Sequence, residues 1–203
     1  MDTLELVNIN LKFNNKEILK NFSLTINSKD KILISANSGK GKSTLLKLLL
    51  GFEVQDSGKY LIDGKAIKEY SFFEVRKIFS YVDQDVSLRK IKSRDYIEEI
   101  SKFNGNNLTS SIDTELCKYF EFDLSLLDKN IQKLSGGERA RLAIIIAIML
   151  KRPFYLLDEV TAALDSNLKS KVVSYFNNCE EGVIVISHDD IWMKDTNFRK
   201  VSL

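Results

Sequence analysis

Residues 31–51 constrain this chain more than any other stretch. An apolar run, Lys31–Ser35, enters the small-residue turn Ala36-Asn37-Ser38-Gly39-Lys40-Gly41 and leaves through Lys42-Ser43-Thr44 into a helix-like segment, residues 45–51. Strand, glycine-rich turn and helix form the context that a phosphate-binding loop requires. Small residues let successive backbone N–H groups converge on a polyphosphate, and the helix N-terminus adds its partial positive charge. In that reading Lys42 reaches the outer phosphates and the Ser43 hydroxyl ligates Mg²⁺. The pattern G-x-x-x-x-G-K-[ST] asks for glycine first, where this chain has Ala36. A chance glycine turn after a buried strand is the alternative that this stretch alone leaves open.

Short strand patterns precede the loop at residues 4–8, 10–13 and 22–26. Phe13 ends one of them. It can stack on a nucleotide base, or it can be a core aromatic of the sheet. After the loop helix come a turn at residues 55–58, a strand at 60–62, a hairpin turn at Asp63-Gly64, a short helix at 71–77 and a buried strand at 78–82. From 85 to about 132 helical periodicity takes over (Tyr96, Ile97, Ile100; Leu116, Tyr119, Phe120), broken by a turn-rich stretch at 104–107. We read residues 85–132 as a helical subdomain inserted into a core made of 1–84 and 133–203. The second half alternates again: helix 136–150, strand 154–157, helix 167–178, strand 183–186 and a last strand within 197–203. Such alternation implies α/β architecture, a mostly parallel sheet covered on both faces.

Composition excludes several classes. Thirty basic against twenty-eight acidic residues leave a net charge of +2, too balanced for nucleic acid as the main partner. No apolar run approaches the ~18 residues of a membrane span, and the acidic N-terminus lacks a signal-peptide core. Cys117 and Cys179 are too isolated for a metal site or a disulfide framework, so a reduced cytoplasmic setting is expected. Contact with a membrane would come through a partner.

Three further patterns carry chemistry. The run Phe154–Asp158 continues into Glu159, an apolar strand ending in two carboxylates. An aspartate there helps hold Mg²⁺ against Ser43, and the adjacent Glu159 points at the outer phosphate, where it orients or deprotonates water. Leu134-Ser135-Gly136-Gly137-Glu138 opens a helix and makes a second anion-binding N-terminus, or simply a serine cap with a tight entry. Two such sites on one chain suggest that the second serves another subunit's nucleotide. His188, the only histidine, and Gln84 each lie just past a strand end, where ligands of open α/β sheets gather.

These stretches, in this order and spacing, resemble the nucleotide-binding subunit of ATP-binding cassette (ABC) transporters across essentially the whole chain. The resemblance implies a P-loop NTPase core, an N-terminal antiparallel β portion and the helical insertion, with ATP and Mg²⁺ as ligands. Position by position it implies that Phe13 stacks adenine, and that Asn37, Ser38, Gly39, Lys40, Gly41, Lys42, Ser43 and Thr44 cradle the nucleotide. Ser43, Gln84 and Asp158 would serve Mg²⁺, Glu159 would be the catalytic base, and His188 would contact the γ-phosphate. Ser135, Gly136, Gly137 and Glu138 would complete the opposite subunit's ATP site, with Asp165 at the dimer seam. Departures are Ala36, Glu138 for the usual glutamine, and Ile146 where arginine is usual, which implies a missing surface contact. None removes a catalytic group, so the resemblance implies an active ATPase.

The leading expectation is therefore an ATPase that drives a separate transmembrane permease, peripheral on the inner face of the cell membrane, as a homodimer or a heterodimer with another ABC ATPase subunit. The chain shows one cassette, and residues 85–95 are the expected permease contact. Residues 128–131 and 158–161 most resemble small two-component export systems. A soluble cassette ATPase of DNA repair or translation, or a non-hydrolysing regulatory cassette, would share the phosphate-binding motifs. Substrate and direction of transport reside in the partner.

Overall fold

A computed structural model of the chain describes residues 2–13, 16–35, 41–84, 90–103, 111–195 and 197–203. Expectations that fall on Ala36, Asn37, Ser38, Gly39 and Lys40, on residues 85–89 and on the turn at 104–107 lie outside the described residues. The strands are β1 (Thr3–Phe13), β2 (Lys16–Asn27), β3 (Lys31–Ser35), β4 (Ser57–Ile62), β5 (Lys65–Ala66), β6 (Phe79–Val82), β7 (Phe154–Asp158), β8 (Gly182–Ile186) and β9 (Arg199–Ser202). The helices are α1 (Lys42–Leu49), α2 (Phe72–Arg76), α3 (Ser93–Lys102), α4 (Thr114–Tyr119), α5 (Gly136–Met149), α6 (Ser166–Asn178) and α7 (Asp190–Lys194).

Two sheets result. One is parallel throughout, in the order β6-β7-β8-β3-β9. The other is antiparallel, in the order β2-β1-β4-β5. The fold is α/β, as the sequence implies. Its central strands read as continuous apolar runs because both faces are covered, and successive side chains alternate between two cores. Tyr155, Leu157, Val183, Val185 and Leu33 face the core shared with α5 and α6. Phe154, Leu156, Ile184, Ile186, Ile32 and Ile34 face the core shared with α1 and the antiparallel sheet.

The structure differs from the sequence reading in particular places. The strands expected at 4–8 and 10–13 are one strand, β1, whose pairing with β2 slips between Leu6 and Ile9. Asn8 sits there at φ +49°, a conformation that short polar side chains tolerate. β2 begins at Lys16, well before the expected residue 22, because its first half is an edge strand with mostly exposed charged and polar residues. Ile146 is buried in the same core cluster as Ile144, Ile145 and Ile148 of α5. The described part of residues 85–132 supplies α3, α4 and two short 3₁₀ turns, Leu124–Asp128 and Ile131–Lys133. Ile97, Cys117, Phe120 and Leu126 pack into the same core as α5.

Candidate functional site

The carboxyl edge of the parallel sheet gathers the polar residues. β3 leads toward Lys42, Ser43 and Thr44 at the start of α1; β6 leads to Gln84, β7 to Asp158 and Glu159, and β8 to Ser187 and His188. Lys42, Ser43, Thr44, Gln84, Asp158, Glu159 and His188 line one cavity of about 420 Å³, with Gly41 and Ile18. The sequence patterns pass over Ile18. Its signal was its place in β2, the hairpin partner of the strand that carries Phe13.

Local geometry explains the glycine before Lys42. Gly41 caps α1 at φ +96°, and a Cβ built on it would lie 2.5 Å from Ile18 Cγ2. No side chain among the described residues caps α1, and its first turn holds no acidic residue. The first turn of α1, with its partial positive charge, thus borders the cavity without an acidic residue of its own.

Glu159 is held from several directions. It sits at φ +48°, with its N–H donating to Ile186 O at 2.8 Å, so the β7–β8 ladder fixes the residue just beyond the strand. The Ser187 hydroxyl donates to Glu159 Oε2 at 3.0 Å, and the His188 N–H donates to the same oxygen at 3.3 Å. The other carboxylate oxygen, Oε1, lies 3.7 Å from Lys42 Nζ and 4.0 Å from His188 Nε2. Lys42 Nζ also meets His188 Nε2 directly. Behind this group, Asp189 accepts from Lys169 Nζ at 2.5 Å and from Thr161 Oγ1 at 3.1 Å, and Thr161 in turn accepts from the Trp192 indole N–H at 3.2 Å. Burial is the largest influence on Asp189 and pushes its carboxyl up, but the Lys169 ammonium, the Ile191 amide and the Thr161 hydroxyl together bring it below the ordinary range.

Oxygen donors suited to a hard divalent cation are present in the cavity: the Ser43 hydroxyl, the Gln84 amide and the Asp158 carboxylate. Magnesium keeps several waters and binds through one or two carboxylates plus substrate phosphates. Among the described residues no three His, Cys, Asp or Glu side chains cluster as an all-protein metal cage would need. The residues present fit Mg²⁺ held jointly with a polyphosphate.

The remaining expected residues do not line this cavity. Phe13 lies at the end of β1 and is 49% exposed, which sets aside the reading of a core aromatic. Ser135 caps α5: its hydroxyl accepts from Glu138 N–H at 3.2 Å, and Glu138 Oε2 accepts from Ser135 N–H at 2.6 Å. The Ser135 amide thereby holds the Glu138 carboxyl below the ordinary range, against burial. Gly136 borders a second cavity of about 190 Å³ together with Gln84, Glu159 and Ala163. At Gly137 a Cβ would stand 3.0 Å from Ala163 O. Asp165 caps α6 by accepting from Leu168 N–H at 3.0 Å.

Residues 19–162 match the family model described as ABC transporter. The chain belongs to the ABC transporter family. Among curated ABC relatives, a Rickettsia bellii protein provisionally named as an export ATP-binding/permease protein is 36% identical over 200 residues, covering 91% of this chain and 34% of its own length. The mitochondrial iron-sulfur clusters transporter ATM1 of Saccharomyces cerevisiae is 34% identical over 172 residues, 78% of this chain and 24% of that one. The chain thus spans a quarter to a third of the length of these curated relatives. Among solved structures, a bacterial Atm1-family ABC exporter with ATP bound superposes with TM-score 0.83 at 24% identity, covering all of this chain and 37% of that one. A dimeric bacterial ABC transporter cassette superposes with TM-score 0.82 at 24% identity, covering 98% and 94%. The fold is that of an ABC ATPase cassette. This chain is an ATP-binding cassette of that family, and no helix among its described residues is long and apolar enough to cross a membrane.

Proposed function

We propose that the chain hydrolyses ATP to power export through a membrane-spanning permease, with Glu159 as the general base. The observation that carries this reading is the anchored carboxylate: Oε2 is tied to Ser187 and His188, while Oε1 faces Lys42 within the cavity. Lys42 and the first-turn amides of α1 would bind the outer phosphates, and His188 would contact the γ-phosphate. Ser43, Gln84 and Asp158 would hold Mg²⁺, which when bound neutralises charge on the phosphates. Glu159 Oε1 would orient the attacking water and take its proton. Phe13, open at the strand end, would stack the adenine.

The second half of the site would come from another cassette. Ser135 Oγ accepts a bond from Glu138 N–H at the start of its own helix, which fixes the turn that would face a partner cassette. With the amides at Gly136 and Gly137 it would close on a partner cassette's γ-phosphate, with Glu138 bracing the turn and Asp165 at the seam. ATP-driven closure and hydrolysis-driven reopening would supply the two states that transport needs. We keep the permease as a separate subunit, and the cassette as peripheral on the cytoplasmic face of the membrane, within this proposal.

Glu159→Gln tests the central role. It should bind ATP and lose at least about a hundredfold in turnover, the scale of a general base; hydrolysis at the original rate rejects the role. In the same variant ATP should convert monomer to dimer in sedimentation, and a monomer at saturating ATP rejects the shared site. Recovery from detergent extract with a multi-span protein is expected, and recovery with ribosomes or DNA instead rejects the transport reading.

A further inference from the structure

Ser187 is the side chain at the catalytic edge to which no sequence pattern points. It is 1% exposed, and its hydroxyl has two neighbours at 3.0 Å, the Asp189 N–H and Glu159 Oε2. An amide N–H can only donate, so it occupies a lone pair of the hydroxyl oxygen. The single hydroxyl proton is then committed to the carboxylate. The direction of the bond is fixed by the donor and acceptor inventory, without any choice of rotor.

We infer that Ser187 is a positioning residue for Glu159: its hydroxyl pins Oε2 and turns Oε1, the oxygen facing Lys42, toward the attacking water. The inference rests on the assignment of Glu159 as base. A glutamate has three side-chain torsions and no intrinsic preference for which oxygen faces the cavity. Two donors on Oε2 impose one, and a base needs an aligned acceptor oxygen more than it needs proximity alone.

Ser187 is itself held. The Asp189 amide reaches its oxygen, and the Asp189 carboxylate is bound by Lys169 of α6 at 2.5 Å and by the buried Thr161 at 3.1 Å. Asp189 Oδ1 accepts the Ile191 N–H at 3.3 Å, which caps α7. The chain of bonds from α6 through Asp189 and Ser187 to Glu159 lies behind the cavity. Ser187 does not line the cavity with Lys42 and Ser43, so its effect reaches the nucleotide only through Glu159.

The test compares Ser187→Ala and Ser187→Thr in the full chain with steady-state ATP hydrolysis and nucleotide affinity. A hydrogen bond to a charged group stabilises by roughly 1.5–3 kcal/mol, so kcat in Ser187→Ala should fall about tenfold to a hundredfold. KM and Kd for ATP should stay within about twofold, and Ser187→Thr, which keeps the hydroxyl, should recover most of the rate. A rate unchanged in Ser187→Ala overturns the inference. So does a loss carried by KM, or one that threonine does not restore while melting temperature and ATP affinity are intact. If Glu159→Gln abolishes turnover and Ser187→Ala does not lower it, only the positioning role fails. If Glu159→Gln turns over normally, the assignment of the base fails first.

Discussion

Lys42 Nζ lies 3.7 Å from Glu159 Oε1, with both side chains about one-sixth exposed. The cation offered to phosphate is therefore already in the field of a carboxylate. At this separation and partial burial the pair interacts more strongly than an exposed ion pair of ~0–1 kcal/mol. An incoming polyphosphate competes with Glu159 for Lys42 and is repelled by it. Glu159→Gln should therefore tighten ATP binding, by a few-fold to about tenfold at low salt, with the gain shrinking as salt rises. Titration calorimetry across ionic strength checks both signs, and weaker binding in the variant contradicts the electrostatic account.

Phe13 is half exposed, so its removal costs little core packing. Phe13→Ala should leave the urea midpoint nearly unchanged and weaken ATP binding by about 1–3 kcal/mol, the scale of base–aromatic stacking. A large loss of stability with intact affinity would favour a structural role.

Gly41→Ala places a Cβ in a left-handed backbone and 2.5 Å from Ile18 Cγ2. The conformational part alone costs about 1–2 kcal/mol. Chemical denaturation should show at least that loss. The double variant with Ile18→Ala removes the clashing Cγ2 and should show a smaller added loss from Gly41→Ala than the wild-type background does, leaving the conformational part.

Gly136 and Gly137 are adjacent yet predicted to differ. A Cβ on Gly136 meets Ala163 Cβ at an ordinary 3.6 Å, and alanine is the better helix former by roughly 1 kcal/mol. Gly136→Ala should hold or raise the melting temperature. Gly137→Ala must push on the Ala163 carbonyl at 3.0 Å and should lower it. Equal melting temperatures would show that the Ala163 turn yields freely.

Acid stability follows from Glu138 and Asp189, whose carboxyls both lie below the ordinary range in the folded chain. A depressed carboxyl contributes stability that is complete above its unfolded value, roughly pH 4–4.5, and is lost as pH falls through the folded value. Urea midpoints should therefore show no contribution to the slope from these groups above about pH 5 and a decline below pH 4. Glu138→Gln and Asp189→Asn should each flatten that decline, and an unchanged slope would place the proton uptake elsewhere.

Much of this was legible in the sequence because burial on both faces leaves an unambiguous trace. Phe154–Leu157 and Val183–Ile186 are apolar without interruption, and the acids, serine and histidine that follow them are placed by the strand ends. Lys16–Asn21 was not legible as strand, since an edge exposing Lys16, Glu17, Lys20 and Asn21 reads like a loop. α7 was missed because five residues carry no periodicity; its signal is the cap, where Asp189 accepts the Ile191 N–H. Ser187 was missed because a lone serine beside the one histidine carries no pattern, and its role is visible only once Glu159 is folded back against it.

The pairing of β7 between β6 and β8, and of β8 between β7 and β3, has a kinetic meaning. Amides interior to a covered sheet exchange with heavy water only when the whole domain opens, whereas an edge such as the start of β2 exchanges through local fraying. Glu159, whose own N–H extends the β7–β8 ladder, is thus mounted on the last part of the chain to let solvent in. A deuterium-uptake map should brighten from the outer hairpins inward and reach the backbone of Glu159 at the end.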